Sequence, residues 1–337
     1  KQVAAKDWKL DVPPGKTITV SEDWKPDAWP KGGFKITAEL LDGGKVIDRV
    51  ESEAFLWTPK DKKEFVTVED GDFKLNGKRW RINGVNYMPS SGIATEDAEN
   101  FEYWLSSTAY DPEVVERDLS HIKDMGLNAL SVFTYHSSLG ARNLIDLLRR
   151  MDKHGLKANV SLRPGTPMDF LWPKMKEIIE TYQLKDNDTV FAYDLAWEPW
   201  LGTQKLREPL DTEWEQWIIE RYGSLENAER DWGYPVPRDA SGKVTNPPPQ
   251  SQGGDWTRMF AAYRRFCDTV LYKKYSAARE LVKSVDPNHF VSFRMSDAGN
   301  PTYKSTDSIP YDFPYLAAES TSSSRKLTGG TVTVGSR

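Results

Sequence analysis

The stretch Asp111–Tyr135, DPEVVERDLSHIKDMGLNALSVFTY, decides the fold class. Asp111 is a good N-cap, and Pro112 suits the first helical position, where no backbone N–H is needed. Val115, Leu119, Ile122 and Met125 recur at helical spacing, and Gly126 ends the helix. Asn128–Tyr135 then reads as a strand. The same unit repeats downstream. Asn143–His154 is a helix closed by Gly155, and Leu156–Leu162 is a strand. Trp172–Tyr182 is a helix, and Thr189–Trp197 (TVFAYDLAW) is a strand. A long helix over about 256–285 precedes a strand at His289–Met295. Upstream, Phe73–Lys78 (FKLNGK) is a hairpin with an Asn-Gly turn. It feeds a strand over Trp80–Tyr87. Alternating strands and helices of this kind predict a parallel sheet joined by right-handed crossovers.

Two folds satisfy that pattern. A doubly wound nucleotide fold wants a glycine-rich first turn, and the first strand here runs into Asn86-Tyr87-Met88-Pro89. There is no G-x-G-x-x-G and no P-loop, so no nucleotide cofactor is expected. The expectation is an α/β fold, a (β/α)8 TIM-type barrel, with its chemistry at the C-terminal ends of the strands.

Residues 1–70 read differently. Lys16–Val20, Phe34–Leu40, Lys45–Val50 and Glu64–Val68 alternate apolar and polar residues between Gly, Pro and Asp clusters. They predict a small N-terminal β-sandwich. The barrel is expected over 71–318, interrupted by a polar, Trp-rich insertion at about 200–255. The tail 319–337 departs from this composition, with Ser, Thr or Gly at 11 of the 17 residues from Thr321 on. The insertion leaves room for about six βα units where eight take ~250 residues, so the barrel is expected to be incomplete within this chain. An open barrel exposes strand edges. Poor solubility alone, or a partner copy filling the gap as a homo-oligomer, is therefore expected.

Composition excludes several classes. The chain has 337 residues and a net charge of −5, which argues against a dedicated nucleic-acid binder. No apolar run approaches the ~18 residues of a membrane helix. One cysteine, Cys267, and four scattered histidines leave no disulfide framework and no zinc motif, so no metal is expected. The 13 Trp, 14 Tyr and 13 Phe are a surplus with two ordinary uses, core filling and flat platforms for rings. The chain begins at Lys1 without a visible signal peptide, which is read as a processed or excised protein; an extracellular or periplasmic location is expected.

Strand ends then nominate the site. Glu198 follows the fourth strand, precedes Pro199, and is flanked by Trp197 and Trp200. Apolar surroundings raise a carboxyl pKa toward the ~6 of a general acid, and aromatic rings suit the apolar faces of sugars. Glycoside hydrolysis needs such an acid beside the leaving oxygen and a second carboxylate opposite. Tyr87, Tyr135, His136, Arg163 and Arg294 fall at or near other strand ends and are candidate substrate contacts. Asp194 shares the face of Glu198 at period two, deeper in the sheet, as a buried partner for Arg or Asn rather than a catalyst.

FKLNGK…NGVNY (73–87), DPE…MGLNAL (111–130) and AWEP (196–199) together resemble the barrel entry, the first helix with its following strand, and the acid/base strand of clan A glycoside hydrolases. The families meant are of the β-galactosidase/β-mannosidase and cellulase-like kinds. Trp217…RYGSL…Trp232-Gly233 is similar to a Trp-rich helical insertion of some β-galactosidase-like members. The resemblance implies a glycosidase that degrades β-linked polysaccharides by the retaining two-carboxylate mechanism, with Glu198 as acid/base and a carbohydrate substrate. Two departures stand out. Trp197 occupies the place where the clan usually has Asn. The clan's nucleophile is a Glu at the end of strand seven, and here Glu319, after an expected sixth strand near Tyr315–Ala318, is the only late glutamate to fill that role. The alternative is a non-catalytic, carbohydrate-binding barrel that lacks its nucleophile.

Overall fold

A computed structural model of the chain describes residues 2–89, 104–107, 109–134, 142–162, 171–197, 204–247 and 257–294. The chain divides into two compact units between Leu56 and Trp57.

The first unit holds one two-stranded antiparallel ribbon, β1 (Phe34–Asp42) and β2 (Lys45–Ala54). Gly43 and Gly44, both at positive φ, make the two-residue turn that matches strand twist. Register puts Phe34, Ile36, Ala38 and Leu40 on one face with Val50 and Ala54. Lys35, Glu39, Arg49, Glu51 and Glu53 fall on the other, where Arg49 pairs with Glu51 at 2.9 Å. Trp24 and Trp29 set their rings edge-on against Phe34, with centroids 4.7 and 5.5 Å apart. Ile36 and Leu40 nevertheless stay 45% and 55% exposed.

This differs from the sandwich expected over 1–70. Lys16–Val20 forms no strand, and the segment near Glu64–Val68 belongs to the second unit. The reason is burial: Val66 packs with Phe73 and Ala129, in the second unit.

There, β3 (Thr67–Glu69), β4 (Asp72–Leu75) and β5 (Lys78–Arg79) form an antiparallel meander. Asn76 and Gly77, at φ 54° and 70°, turn β4 into β5.

Five parallel strands follow: β6 (Gly84–Tyr87), β7 (Ala129–Val132), β8 (Lys157–Ser161), β9 (Val190–Trp197) and β10 (Phe290–Arg294). They lie in sequence order with no reversal, unlike a doubly wound sheet, whose strand order switches direction. A Cβ on Gly84 would stand 2.5 Å from the Ala129 carbonyl oxygen, so glycine is what lets β6 approach β7.

The connecting helices are α1 (Pro112–Asp124), α2 (Asn143–Lys153) and α3 (Trp172–Thr181). Asp111 caps α1 as expected: its Oδ1 accepts the amides of Glu113 at 2.9 Å and Val114 at 3.1 Å. The insertion carries α4 (Gln204–Arg207), α5 (Asp211–Tyr222) and α6 (Leu225–Trp232), and α7 (Thr257–Val285) leads to β10. Trp214 of α5 is fully buried and stacks on Trp232 of α6, at 5.9 Å and 4°. It also meets Tyr263 of α7 edge-on. In these three helices the aromatic surplus fills a core.

Alternation gives the parallel sheet two characters. Leu130, Val132, Ala158, Val160, Val190, Tyr193 and Val291 pack with Val115, Leu119, Leu144, Leu147 and Leu148 of the helices. On the opposite face, Ala129, Phe191 and Ala192 meet Val66 and Phe73, with Trp80 and Phe290 against them. Ala129 and Phe290 start their strands. The meander therefore covers the N-terminal end of the sheet, which leaves the C-terminal end for chemistry.

Candidate functional site

The candidate site lies where β6–β10 end. The register builds the sheet face away from the helices layer by layer. Asn86, Ser131, Asn159, Ala192 and Phe290 form one row across the five strands. One step toward the C-terminal ends, Ser161, Asp194 and Ser292 form the next. Asp194 is fully buried, and Asn159, Ser161 and Ser292 are 5%, 3% and 2% exposed. The row of Ser, Asp and Ser carries polarity toward the strand ends.

Those ends are cross-tied. The Thr134 hydroxyl donates to the Ser161 carbonyl. The Leu162 amide donates to the Asp194 carbonyl at 2.8 Å. Trp104 donates its indole N–H to the Phe133 carbonyl at 2.8 Å, and Asn143 donates its amide to the Leu105 carbonyl at 2.9 Å. At the far side, β9 and β10 finish together, with Arg294 in register with Trp197.

Several solved glycosidase structures resemble this chain. A β-galactosidase from Halorubrum lacusprofundi is 16% identical over 66% of the chain and 37% of its own length, with a TM-score of 0.40. A β-galactosidase from Rahnella sp. R3 is 16% identical over 71% of the chain and 38% of its own, with a TM-score of 0.46. An endo-1,4-β-mannanase from Rhizomucor miehei is 16% identical over 75% of the chain and 68% of its own, with a TM-score of 0.41. The chain thus spans little more than a third of the length of these two β-galactosidases. No protein-family model matches it, and no curated protein does.

Of the residues nominated from sequence, Trp197 and Arg294 close β9 and β10. Tyr135, His136, Arg163, Glu198, Trp200 and Glu319 lie outside the described residues, as does the expected strand at 315–318. Tyr87 is a correction. Its register partner is Val132, on the helix side of the sheet. Its hydroxyl donates to Asp118 of α1 at 3.3 Å, and its ring sits edge-on to Trp104. It is a core residue, 5% exposed, because one step of register moves a side chain to the other face. Asn86, one residue earlier, holds the face away from the helices. Sequence reading passed over Asn86, Ser131, Asn159 and Ser292. Their signal was a small polar residue at alternate positions of otherwise apolar strands.

The opposite end of the sheet holds a group that looks catalytic and is structural. His289 Nδ1 lies 2.6 Å from Asp286 Oδ2, and the Tyr193 hydroxyl donates to the same oxygen. His289 Nε2 lies 3.1 Å from the Asn187 carbonyl. Burial pushes the Asp286 carboxyl up, but His289, the Tyr193 hydroxyl and the Asn288 amide together hold it below the usual carboxylate range. Asp286 and His289 are buried between α7 and β10. Nearby, burial lowers the pKa of Lys157, whose ammonium donates to the Glu64 and Asp188 carbonyls. Among the described residues no cluster of His, Cys, Asp and Glu is arranged to hold a metal, and no helix is long and apolar enough to cross a membrane.

Proposed function

We propose that the chain carries the catalytic core of a retaining β-glycoside hydrolase, built on a (β/α)8 barrel, with Glu198 as acid/base. One observation carries this reading. Five parallel strands in unreversed order have their N-terminal end covered by a meander, and the fourth of them stops at Trp197, one residue before Glu198. The strand-end rule then assigns Glu198 to the reactive rim.

In the proposed reaction Glu198 gives its proton to the glycosidic oxygen as the bond to the anomeric carbon breaks. A second carboxylate, assigned here to Glu319, attacks that carbon and forms a covalent glycosyl-enzyme. Glu198, now ionised, takes a proton from water, whose oxygen displaces the enzyme carboxylate and restores both groups. Trp197 and Trp200 supply apolar flanks, while Tyr135, His136, Arg163 and Arg294 are assigned to sugar hydroxyls. The substrate class is a β-linked glycan met outside the cytoplasm, in the medium or periplasm.

The test is Glu198→Gln assayed on aryl β-glycosides. Turnover of substrates with poor leaving groups falls by ~10²-fold or more, and that of activated substrates falls less, because they need no proton. Azide restores part of the deglycosylation rate. Equal losses on both substrate types without azide rescue would give Glu198 a structural role instead. Full activity in Glu319→Gln would remove Glu319 as nucleophile.

A further inference from the structure

Residues 57–66 open the second unit, lead into β3, and form neither helix nor strand. The reaction above makes no use of them. Side chains at the N-terminal end of the parallel sheet tie them down, and Asp188, two residues before β9 and 3% exposed, is the centre of that set. Its Oδ2 accepts the Glu64 amide at 2.8 Å, and its Oδ1 lies 3.0 Å from the Lys60 ammonium. Lys60 also pairs with Asp152 of α2, and Lys63 stands 3.1 Å from Asp186. From the sheet, Lys157 of β8 donates to the Glu64 carbonyl at 3.2 Å and to the Asp188 carbonyl. From the meander, Asn76 donates to the Glu64 carboxylate at 2.8 Å. Phe65 sets its ring edge-on to His289 at 5.2 Å, and Val66 enters the core.

The two ends of this segment are held unequally. At Val66 the hold is apolar and buried. Upstream it is ionic and open to water, with the Lys60 and Asp152 side chains 45% and 39% exposed. Half-exposed ion pairs stabilise little. The bond from the Glu64 amide to the buried Asp188 carboxylate contributes more, because losing it strands polar groups away from water. Burial pushes the Asp188 carboxyl up, but the Glu64 amide, Lys60 and Lys157 together hold it below the usual carboxylate range. A segment outside the ladders that hangs on one buried polar contact opens at lower free energy than the strands beneath it.

We propose that residues 57–66 are a latch on the N-terminal end of the parallel sheet, pinned by Asp188, that opens as a unit while the sheet stays folded. Opening uncovers the Lys157 ammonium and frees the backbone around Lys62 and Lys63, a few residues past the division between the two units, for proteolytic cleavage. The closed latch protects that stretch of chain. The proposal is independent of the glycosidase reading, because every group in it lies at the end of the sheet opposite the candidate site.

The experiment is native-state amide hydrogen exchange of the full chain, read at Glu64 and at the amides of β8 and β9. In the wild type Glu64 is protected, but about tenfold or more less than the strands. Sub-denaturing urea speeds exchange in β8 and β9 and hardly changes it at Glu64, since opening a latch exposes little surface. Asp188→Ala speeds Glu64 exchange by about 10- to 100-fold, and trypsin nicks this variant at Lys62 or Lys63 faster by a similar factor. Lys60→Met removes only half-exposed ion pairs and speeds Glu64 exchange by about two- to fivefold, which keeps the test open should Asp188→Ala not fold. Equal urea dependence at Glu64 and in the strands overturns the proposal, because the segment then opens only by global unfolding. An unprotected Glu64 amide in the wild type overturns it as well. So do unchanged exchange and nicking in a folded Asp188→Ala protein, or unchanged exchange in Lys60→Met.

Discussion

The β1–β2 ribbon and the β6–β10 sheet are both written in alternating residues, yet alternation means different things in each. In the ribbon it separates an apolar face from a charged one, and the apolar face is left open, with Leu40 and Val50 each 55% exposed. In the parallel sheet the helix side is apolar and buried from β7 to β10, and the other side is buried at Asn159, Ser161, Asp194 and Ser292, polar toward the strand ends; at β6 both sides are exposed, at Val85 and Asn86. Burial in one case comes from elements brought in by crossovers; the ribbon has none. A two-stranded ribbon by itself is marginal, so the stability of the chain resides in the second unit.

Substitutions break or sharpen this contrast. The largest expected effect is in the second unit. Trp214→Ala removes a fully buried ring stacked on Trp232 and met by Tyr263. It costs about 3–5 kcal/mol in urea unfolding. A cost below ~1 kcal/mol would mean that the insertion core is loosely packed and that the contrast with the ribbon is overstated.

An intermediate effect belongs to the network at the base of the sheet. Asp286→Asn keeps the shape but weakens the bonds to His289 and Tyr193, at a cost of about 1–3 kcal/mol near neutral pH. The Asp286 pKa is depressed on folding, so its stabilisation is present above the unfolded value of ~3.9. It is lost as pH falls through the folded value. The gap between wild type and variant, followed by thermal unfolding, is therefore full above about pH 4 and narrows below it. A gap constant down to pH 2 would show that ionised Asp286 contributes nothing.

The smallest effect is in the ribbon. Leu40→Ala alters a side chain that is more than half exposed, and the change stays within about 0.5 kcal/mol of wild type. A loss of several kcal/mol would show that something covers this face in solution and would erase the contrast.

What was legible in the sequence follows the range of the interactions. Asp111-Pro112 started a helix, Asn76-Gly77 made a hairpin turn, and Gly126 and Gly155 followed helix ends, because caps and turns are settled within four residues. The five core strands and their helices were placed within a few residues for the same reason. The candidate site was legible as a set of strand ends, since a parallel strand has a direction that the chain itself states. Which residues at those ends face inward was less legible. Tyr87 looked like a rim residue, but its side of the sheet depends on pairing with β7, more than forty residues away.

The sequence by itself determined the alternation of strands and helices, the caps and turns that bound them, and the order in which strand ends are delivered. Periodicity and local hydrogen bonding suffice for that. Only the tertiary structure decided that Val66 leaves the N-terminal unit for the second one, that Tyr87 faces α1, and that the aromatic insertion is core. Each of these depends on which distant segment covers a given face. Alternation marks a face as apolar or polar, and only long-range packing decides what lies against it.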